Sequence, residues 1–377
     1  MTVPTSAGGT VTRFALESTP GPRVLIDGRW RDYFAGTGYL GLQGHAAIVQ
    51  AGIEALQRYG LTTATSRGGY GEHAVYRAVE AAATQFWGVE RALYVTSAYL
   101  GNAILLQGLR GEYDRVFIDE ASHTSAWDGA RAAGAPLVPF HHLDPEDLAR
   151  QCRTHLQPRE RPLVLSDGIF PISGALAPAP AYLDVLARYD GGRLCLDDAH
   201  ASGVLGAHGR GVFEHFAIDN DYCHATHTLS KALGGFGGLL VGSAGFVAAL
   251  CEHSAIPVAA SPPPLPVAQA SAVALDLAGA EPERRQRLGA NVAYARAAFR
   301  ALGWPLANTP VPILCLGARP GLDLARLQQE LFARDLCVAH VTRYSSTPPG
   351  GALRIAIFAT HTIGQIDRLA GEMEALM

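Results

Sequence analysis

Apolar runs and amphipathic stretches alternate along most of the chain, and their periods predict its elements. Over 92–96, 115–119, 137–140 and 163–166 the apolar residues run together, as in strands of a buried sheet. Between them, 97–109, 124–133 and 145–154 read as helices. Two further runs, Leu194-Cys195-Leu196 and Leu239-Leu240-Val241, flank a strand-like segment over 221–228. This rhythm predicts an α/β domain, a mostly parallel sheet with helices on both faces.

Ahead of that domain, residues 24–30 read as a hairpin with Asp27-Gly28 as its turn. Residues 46–59 repeat apolar positions at helical spacing until Gly60 ends the run. A glycine-rich loop, Thr65-Ser66-Arg67-Gly68-Gly69-Tyr70-Gly71, precedes a helix expected over 72–86. The last third changes character: a long helix over 281–302, a strand over 313–316, a helix over 323–334, strands over 337–342 and 353–358, and a final helix from Thr362. Short strands alternating with helices there predict a smaller α+β domain. The expected division is an N-terminal arm over 1–45, a large domain over 46–280 and a small C-terminal domain over 281–377.

Composition narrows the function. A formal net charge of -4 gives no electrostatic argument for nucleic acid. No run of about 18 apolar residues occurs, and no basic stretch with an apolar core opens the chain, so no membrane insertion is expected. The six cysteines are scattered without a Cys-x-x-Cys pair, as in a reduced cytoplasmic protein.

Candidate chemistry concentrates between Leu194 and Val241. One apolar run ends in Asp197-Asp198-Ala199-His200, and the segment over 221–228 leads to Leu229-Ser230-Lys231 and then Ala232-Leu233-Gly234-Gly235-Phe236-Gly237-Gly238. Open α/β sheets put ligands at the C-terminal ends of their strands. A buried carboxylate and a desolvated lysine suit pyridoxal 5'-phosphate (PLP): the lysine forms a Schiff base and the carboxylate keeps the pyridine nitrogen protonated. Asp197, Asp198 and His200, or His224 with His227, could instead be metal ligands. On a strand, residues three apart point to opposite faces, so His224 and His227 do not easily share an ion, and no metal is expected. Ser97-Ala98-Tyr99 opens a helix directly after a strand; that position suits either a phosphate or a simple N-cap.

These motifs resemble the α-oxoamine synthase family of PLP enzymes. Its signatures appear in order as Asp197-Asp198-Ala199-His200-Ala201-Ser202-Gly203-Val204-Leu205-Gly206 with Gly209-Arg210-Gly211, and as Thr228-Leu229-Ser230-Lys231-Ala232-Leu233-Gly234-Gly235. The resemblance implies the fold type I PLP-dependent transferase fold, with a seven-stranded type of sheet, in a homodimer whose active sites lie at the interface. It implies Lys231 as the Schiff-base lysine, Asp197 as partner of the pyridine nitrogen, His200 beside the phenolic oxygen and His123 stacked on the ring. Ser97, Ala98, Tyr99 and Thr228 would take the phosphate, and Arg354 with Thr37 the substrate carboxylate.

Four positions depart from the family pattern. Thr37 stands for an asparagine, Pro171 for a serine and Tyr76 for a histidine, and Pro262-Pro263-Pro264 falls where a Ser-Thr segment reaches the neighbouring subunit. The activity implied is condensation of a small amino acid with an acyl thioester, carried by coenzyme A or an acyl carrier protein, with loss of carbon dioxide, giving an α-oxoamine. An aminotransferase or decarboxylase on the same scaffold is the alternative reaction. A homologue that binds PLP without catalysis is the alternative outside enzymes.

Overall fold

In a computed structural model, residues 14–377 are described, together with the backbone of two short paired strands, Thr2–Pro4 and Thr10–Thr12. The remainder of the expected arm before residue 14 lies outside the described residues.

The large sheet has seven strands, numbered here in chain order: β1 Arg91–Val95, β2 Arg115–Asp119, β3 Leu137–Phe140, β4 Pro162–Asp167, β5 Arg193–Asp197, β6 Cys223–Thr228 and β7 Gly238–Gly242. Their spatial order is β1-β7-β6-β5-β4-β2-β3. The pairs from β6 through β3 are parallel, whereas β7 runs antiparallel to both β6 and β1. Within each apolar run alternate residues serve opposite faces. Val116 and Ile118, Leu163 and Leu165, and Cys195 enter one buried cluster; Phe117, Val164, Leu194 and Leu196 enter the other. A continuous apolar run is therefore what a sheet covered on both faces requires.

Helix Leu265–Ala280, which the sequence pattern did not signal, packs against helices Ala46–Tyr59 and Ala74–Trp87. It is rich in alanine and apolar around most of its circumference, so it has no polar stripe to betray its period, and burial of Ala268, Ala272 and Leu275 explains why. Helices Ala179–Leu186 and Ala244–His253 also went unpredicted. The stretch expected as one helix over 97–109 begins as a 3-10 turn, Ala98–Leu100, and becomes α-helical over Gly101–Gly108.

The C-terminal sheet pairs Ala352–Ala356 antiparallel with both Ile313–Gly317 and Ala339–Val341. The strand expected over 337–342 is divided. Leu336–Cys337 pairs in parallel with Arg29–Tyr33 of the N-terminal hairpin, and the chain changes sheets at buried Val338. Asp27 (φ 51°) and Gly28 (φ 69°) take the left-handed conformation that a tight hairpin turn demands. The final helix Ile363–Leu376 starts with a capping box between Thr362 and Gln365. Among the described residues no helix is long and apolar enough to cross a membrane.

Candidate active site

The C-terminal ends of the parallel strands meet on one edge of the sheet. Asp167 ends β4 and Asp197 ends β5, directly opposite one another, and Thr226 of β6 pairs with Asp197. Thr228 ends β6, His123 follows β2 and caps helix Thr124–Ala133, and Ser97 follows β1. A cavity of about 500 Å³ opens there, and every residue the resemblance assigned to cofactor or substrate, from Thr37 to Arg354, lines it, whereas Asp198, His224 and His227 do not.

Asp197 is held by two donors, Asn102 Nδ2 at 2.9 Å and the Ala199 N–H at 3.1 Å, while the nearby Ser125 hydroxyl lies 2.7 Å from His123 Nδ1. Asp167 accepts the His123 N–H at 3.1 Å; burial, then the neighbouring Asp197 charge, pushes its carboxyl well above the usual range. Burial depresses the pKa of Lys231, while the charges of Asp197 and Asp167 oppose that shift. The lysine's loop is pinned at its backbone, where Gln43 Nε2 donates to the Lys231 carbonyl at 2.6 Å. Gly234 (φ 70°) makes that approach possible, since a Cβ there would lie 2.4 Å from Leu42 Cβ.

His123 Nδ1 accepts the Ser125 N–H at 3.1 Å, and its Nε2 lies 2.6 Å from the Tyr344 hydroxyl. A backbone N–H only donates, so the ring proton resides on Nε2 and Tyr344 accepts it. Burial lowers the His123 pKa, consistent with that neutral form. His200 meets the Tyr39 hydroxyl through Nδ1 at 2.8 Å. Arg354 extends Nε to the Pro171 carbonyl at 2.6 Å, Nη1 to the Gly36 carbonyl at 3.2 Å and Nη2 to the Tyr39 hydroxyl at 3.1 Å. The serine-to-proline departure at Pro171 thus preserves the acceptor that holds the arginine.

Ser97 caps the turn after β1 by accepting the Tyr99 N–H at 3.2 Å. Gly238 lets β7 run against that turn; a Cβ there would come within 2.7 Å of Ala98 Cα. The Thr228 hydroxyl donates to the Gly237 carbonyl at 3.3 Å and accepts the Ser230 N–H at 3.2 Å. Ser230 also lines the cavity.

Sequence reasoning missed Tyr39, Asp167, Ser125, Asn102 and Tyr344. Tyr39 lies two residues beyond Thr37, and Asp167 directly follows a predicted strand, so both carried a signal. Tyr344, an aromatic in a Ser/Thr/Pro/Gly loop, carried none. His224 stacks on Phe246 at 4.4 Å while His227 packs on Trp87 and meets the Ser202 hydroxyl at 2.9 Å, so the two face away from each other. Among the described residues no group of three His, Cys, Asp or Glu could hold a metal ion.

The donor set fits PLP. An oriented carboxylate faces the cavity from the sheet edge, and a half-buried lysine stands beside it with its ammonium form disfavoured by its surroundings. The N-terminal turn of a helix ends on the same space, where its N–H groups suit a phosphate. Together with the strand order, these features define a fold type I PLP-dependent transferase.

The chain belongs to the aminotransferase class I and II family, whose model matches residues 36–373, and within it to the α-oxoamine synthases. It is 36% identical to 8-amino-7-oxononanoate synthase of Methylococcus capsulatus, over 97% of this chain and 93% of that protein. It is 31% identical to 8-amino-7-oxononanoate synthase 1 of Bacillus subtilis, over 95% and 91%. Among solved structures, serine palmitoyltransferase from S. paucimobilis with PLP and myriocin bound superposes with a TM-score of 0.90 at 25% identity, over 96% of this chain and 92% of that one.

Proposed function

We propose that this enzyme condenses a small amino acid with an acyl thioester to give an α-oxoamine, using PLP held by the residues above. The observation that carries the reading is a half-buried lysine, Lys231, sharing one cavity with an oriented carboxylate, Asp197, and a buried arginine, Arg354. Relatives named 8-amino-7-oxononanoate synthase support it.

PLP, when bound, supplies the electron sink that weakens the bonds at the amino acid's Cα. Lys231 would hold the cofactor covalently, and its amine, once free and neutral, would take the Cα proton. Asp197 would keep the ring nitrogen protonated, and His200 would donate to the ring oxygen. The His123 ring closes one face of the site. Ser97, Ala98, Tyr99 and Thr228 would take the phosphate, for which the turn's N–H groups are suited. Arg354, beside Thr37, grips the substrate carboxylate and so selects which Cα bond stands ready to break. Cα then bonds to the acyl carbon, the thiol leaves with a proton, and the carboxylate departs as carbon dioxide while Cα regains a proton. Ile169, Ile172, Phe236 and Val341 give the cavity an apolar wall suited to an acyl chain.

The working unit is read as a homodimer in the cytoplasm. Val49, Ile53 and Leu56 form an exposed stripe at helical spacing on Ala46–Tyr59, with Leu61 and Tyr70 also exposed, an apolar surface of the kind a partner covers. All six cysteines are unpaired, which fits a reducing compartment. A monomer by light scattering would refute the dimer.

Mass spectrometry of products from a panel of amino acids, offered with coenzyme A and carrier-protein thioesters, tests the reaction. An α-oxoamine with release of label from a carboxyl-labelled amino acid is expected. Pyridoxamine phosphate and a keto acid as the only products would mean transamination instead. Borohydride reduction followed by peptide mapping should place PLP on Lys231.

A further inference from the structure

Tyr39 has no part in the roles assigned above, yet its hydroxyl joins two residues that have. A guanidinium can only donate hydrogen bonds. Arg354 Nη2 lies 3.1 Å from the Tyr39 oxygen, so that oxygen accepts. The same hydroxyl lies 2.8 Å from His200 Nδ1, and its single proton is directed there. Nδ1 therefore accepts, which leaves the imidazole proton on Nε2. Among the described residues Nε2 has no protein partner, and His200 lines the cavity.

The direction of this chain is over-determined. Arg354 has Nε and Nη1 engaged by the carbonyls of Pro171 and Gly36, which aims Nη2 at Tyr39. Tyr39 is 0% exposed, Arg354 5% and His200 7%, so bulk solvent does not compete along the relay. The alternative, a protonated ring donating from Nδ1 to Tyr39, is opposed by burial and by the charges of Lys231 and Arg354, which push the His200 pKa well below its ordinary value.

We infer that Tyr39 is a positioning residue, a directed relay from Arg354 that fixes His200 as an Nε2–H donor facing the cavity. The inference deepens the proposed function and rests on it for the meaning of both ends: Arg354 at the substrate carboxylate and His200 at the cofactor oxygen. Neither end needs to move for the relay to act. It sets a tautomer before any ligand arrives, so the donor is already aimed when the site fills.

The test is a long-range proton–nitrogen NMR spectrum of the full-length protein labelled with nitrogen-15 histidine, recorded without and with PLP. A His200→Asn sample assigns the signal. His200 should be a neutral ring protonated at Nε2 from about pH 5.5 to 8. Tyr39→Phe, which keeps the ring and removes the hydroxyl, should populate the Nδ1–H form. In the PLP-loaded enzyme that variant should also lower kcat/KM for the amino acid about ten-fold, as expected for a lost hydrogen bond to a charged group. An Nδ1–H tautomer or an imidazolium in the parent would overturn the relay, as would a Tyr39→Phe spectrum identical to the parent's. If Tyr39→Phe does not fold, the parent spectrum alone decides. The cofactor-free spectrum is independent of turnover, so a protein that binds no PLP would refute the functional reading while still reporting on the relay.

Discussion

The Tyr76 hydroxyl donates to the Pro263 carbonyl at 2.8 Å. Two of the four departures from the family pattern are therefore in contact. Tyr76 is fully buried on helix Ala74–Trp87, and its reach ties the polyproline segment to the chain's own large domain. The Thr96 hydroxyl adds a second tie, donating to the Ser261 carbonyl at 2.5 Å. Removing the phenolic oxygen should release one end of that segment. Tyr76→Phe is expected to lower stability by about 1 kcal/mol, the net worth of one hydrogen bond. Denaturant unfolding checks it, and PLP content should stay unchanged; an unaltered midpoint would mean the contact contributes nothing.

Tyr344 accepts the Nε2 proton of His123 across the cavity mouth, from the loop between Ala339–Val341 and Ala352–Ala356. Tyr344→Phe keeps the ring and loses the acceptor. The expected result is a two- to ten-fold lower kcat/KM, on the order of one neutral hydrogen bond, with PLP still bound. Steady-state kinetics with both substrates varied would show it, and kinetics equal to the parent's would make the tyrosine a bystander.

Arg354→Lys keeps the positive charge and loses the planar fork. Its effect should appear as a KM for the amino acid raised ten-fold or more, the scale of roughly 1.5–3 kcal/mol for a charged hydrogen bond. Cofactor content, read by absorbance, should match the parent. Unchanged amino-acid kinetics would place the substrate carboxylate elsewhere.

Asp198 should make stability depend on pH. Its carboxyl is 1% exposed, Oδ2 accepts the Val212 N–H at 2.9 Å, and Oδ1 has no partner among the described residues. Burial pushes its pKa up to about 7, against 3.8 for a free aspartate. The folded state thus holds a proton that the unfolded chain has already released between those values. Stability from this group is full below about pH 4 and lost as pH rises through about 7. The slope is on the order of 1.4 kcal/mol per pH unit at most. Asp198→Asn carries no such proton, so its stability relative to the parent should improve from pH 5 to pH 8 in urea titrations. Parallel curves for the two proteins would contradict this.

Much of the architecture was legible because it is local. Asp197 stands at the end of its own apolar run, and Lys231 lies three residues beyond Thr228, which ends β6. Strand runs, the hairpin turn at Asp27-Gly28 and the start of the final helix at Thr362 depend on neighbours within a few positions, so periodicity and turn chemistry suffice to find them.

What the sequence by itself determined, then, was which segments form strands and helices and which motif delivers the lysine and its carboxylate. The tertiary structure decided the rest. Tyr39 meets His200 across 161 residues and Arg354 across 315, and Tyr344 meets His123 across 221, separations over which no spacing rule operates. Only strand register puts Asp167 beside Asp197, only the change of sheet at Val338 splits one apolar run between two sheets, and only packing against helices Ala46–Tyr59 and Ala74–Trp87 makes a helix of Leu265–Ala280 without a polar face. A hydrogen bond is directional and short, so its partner is fixed by where the backbone carries each side chain in space, and that follows from the packing of the whole core.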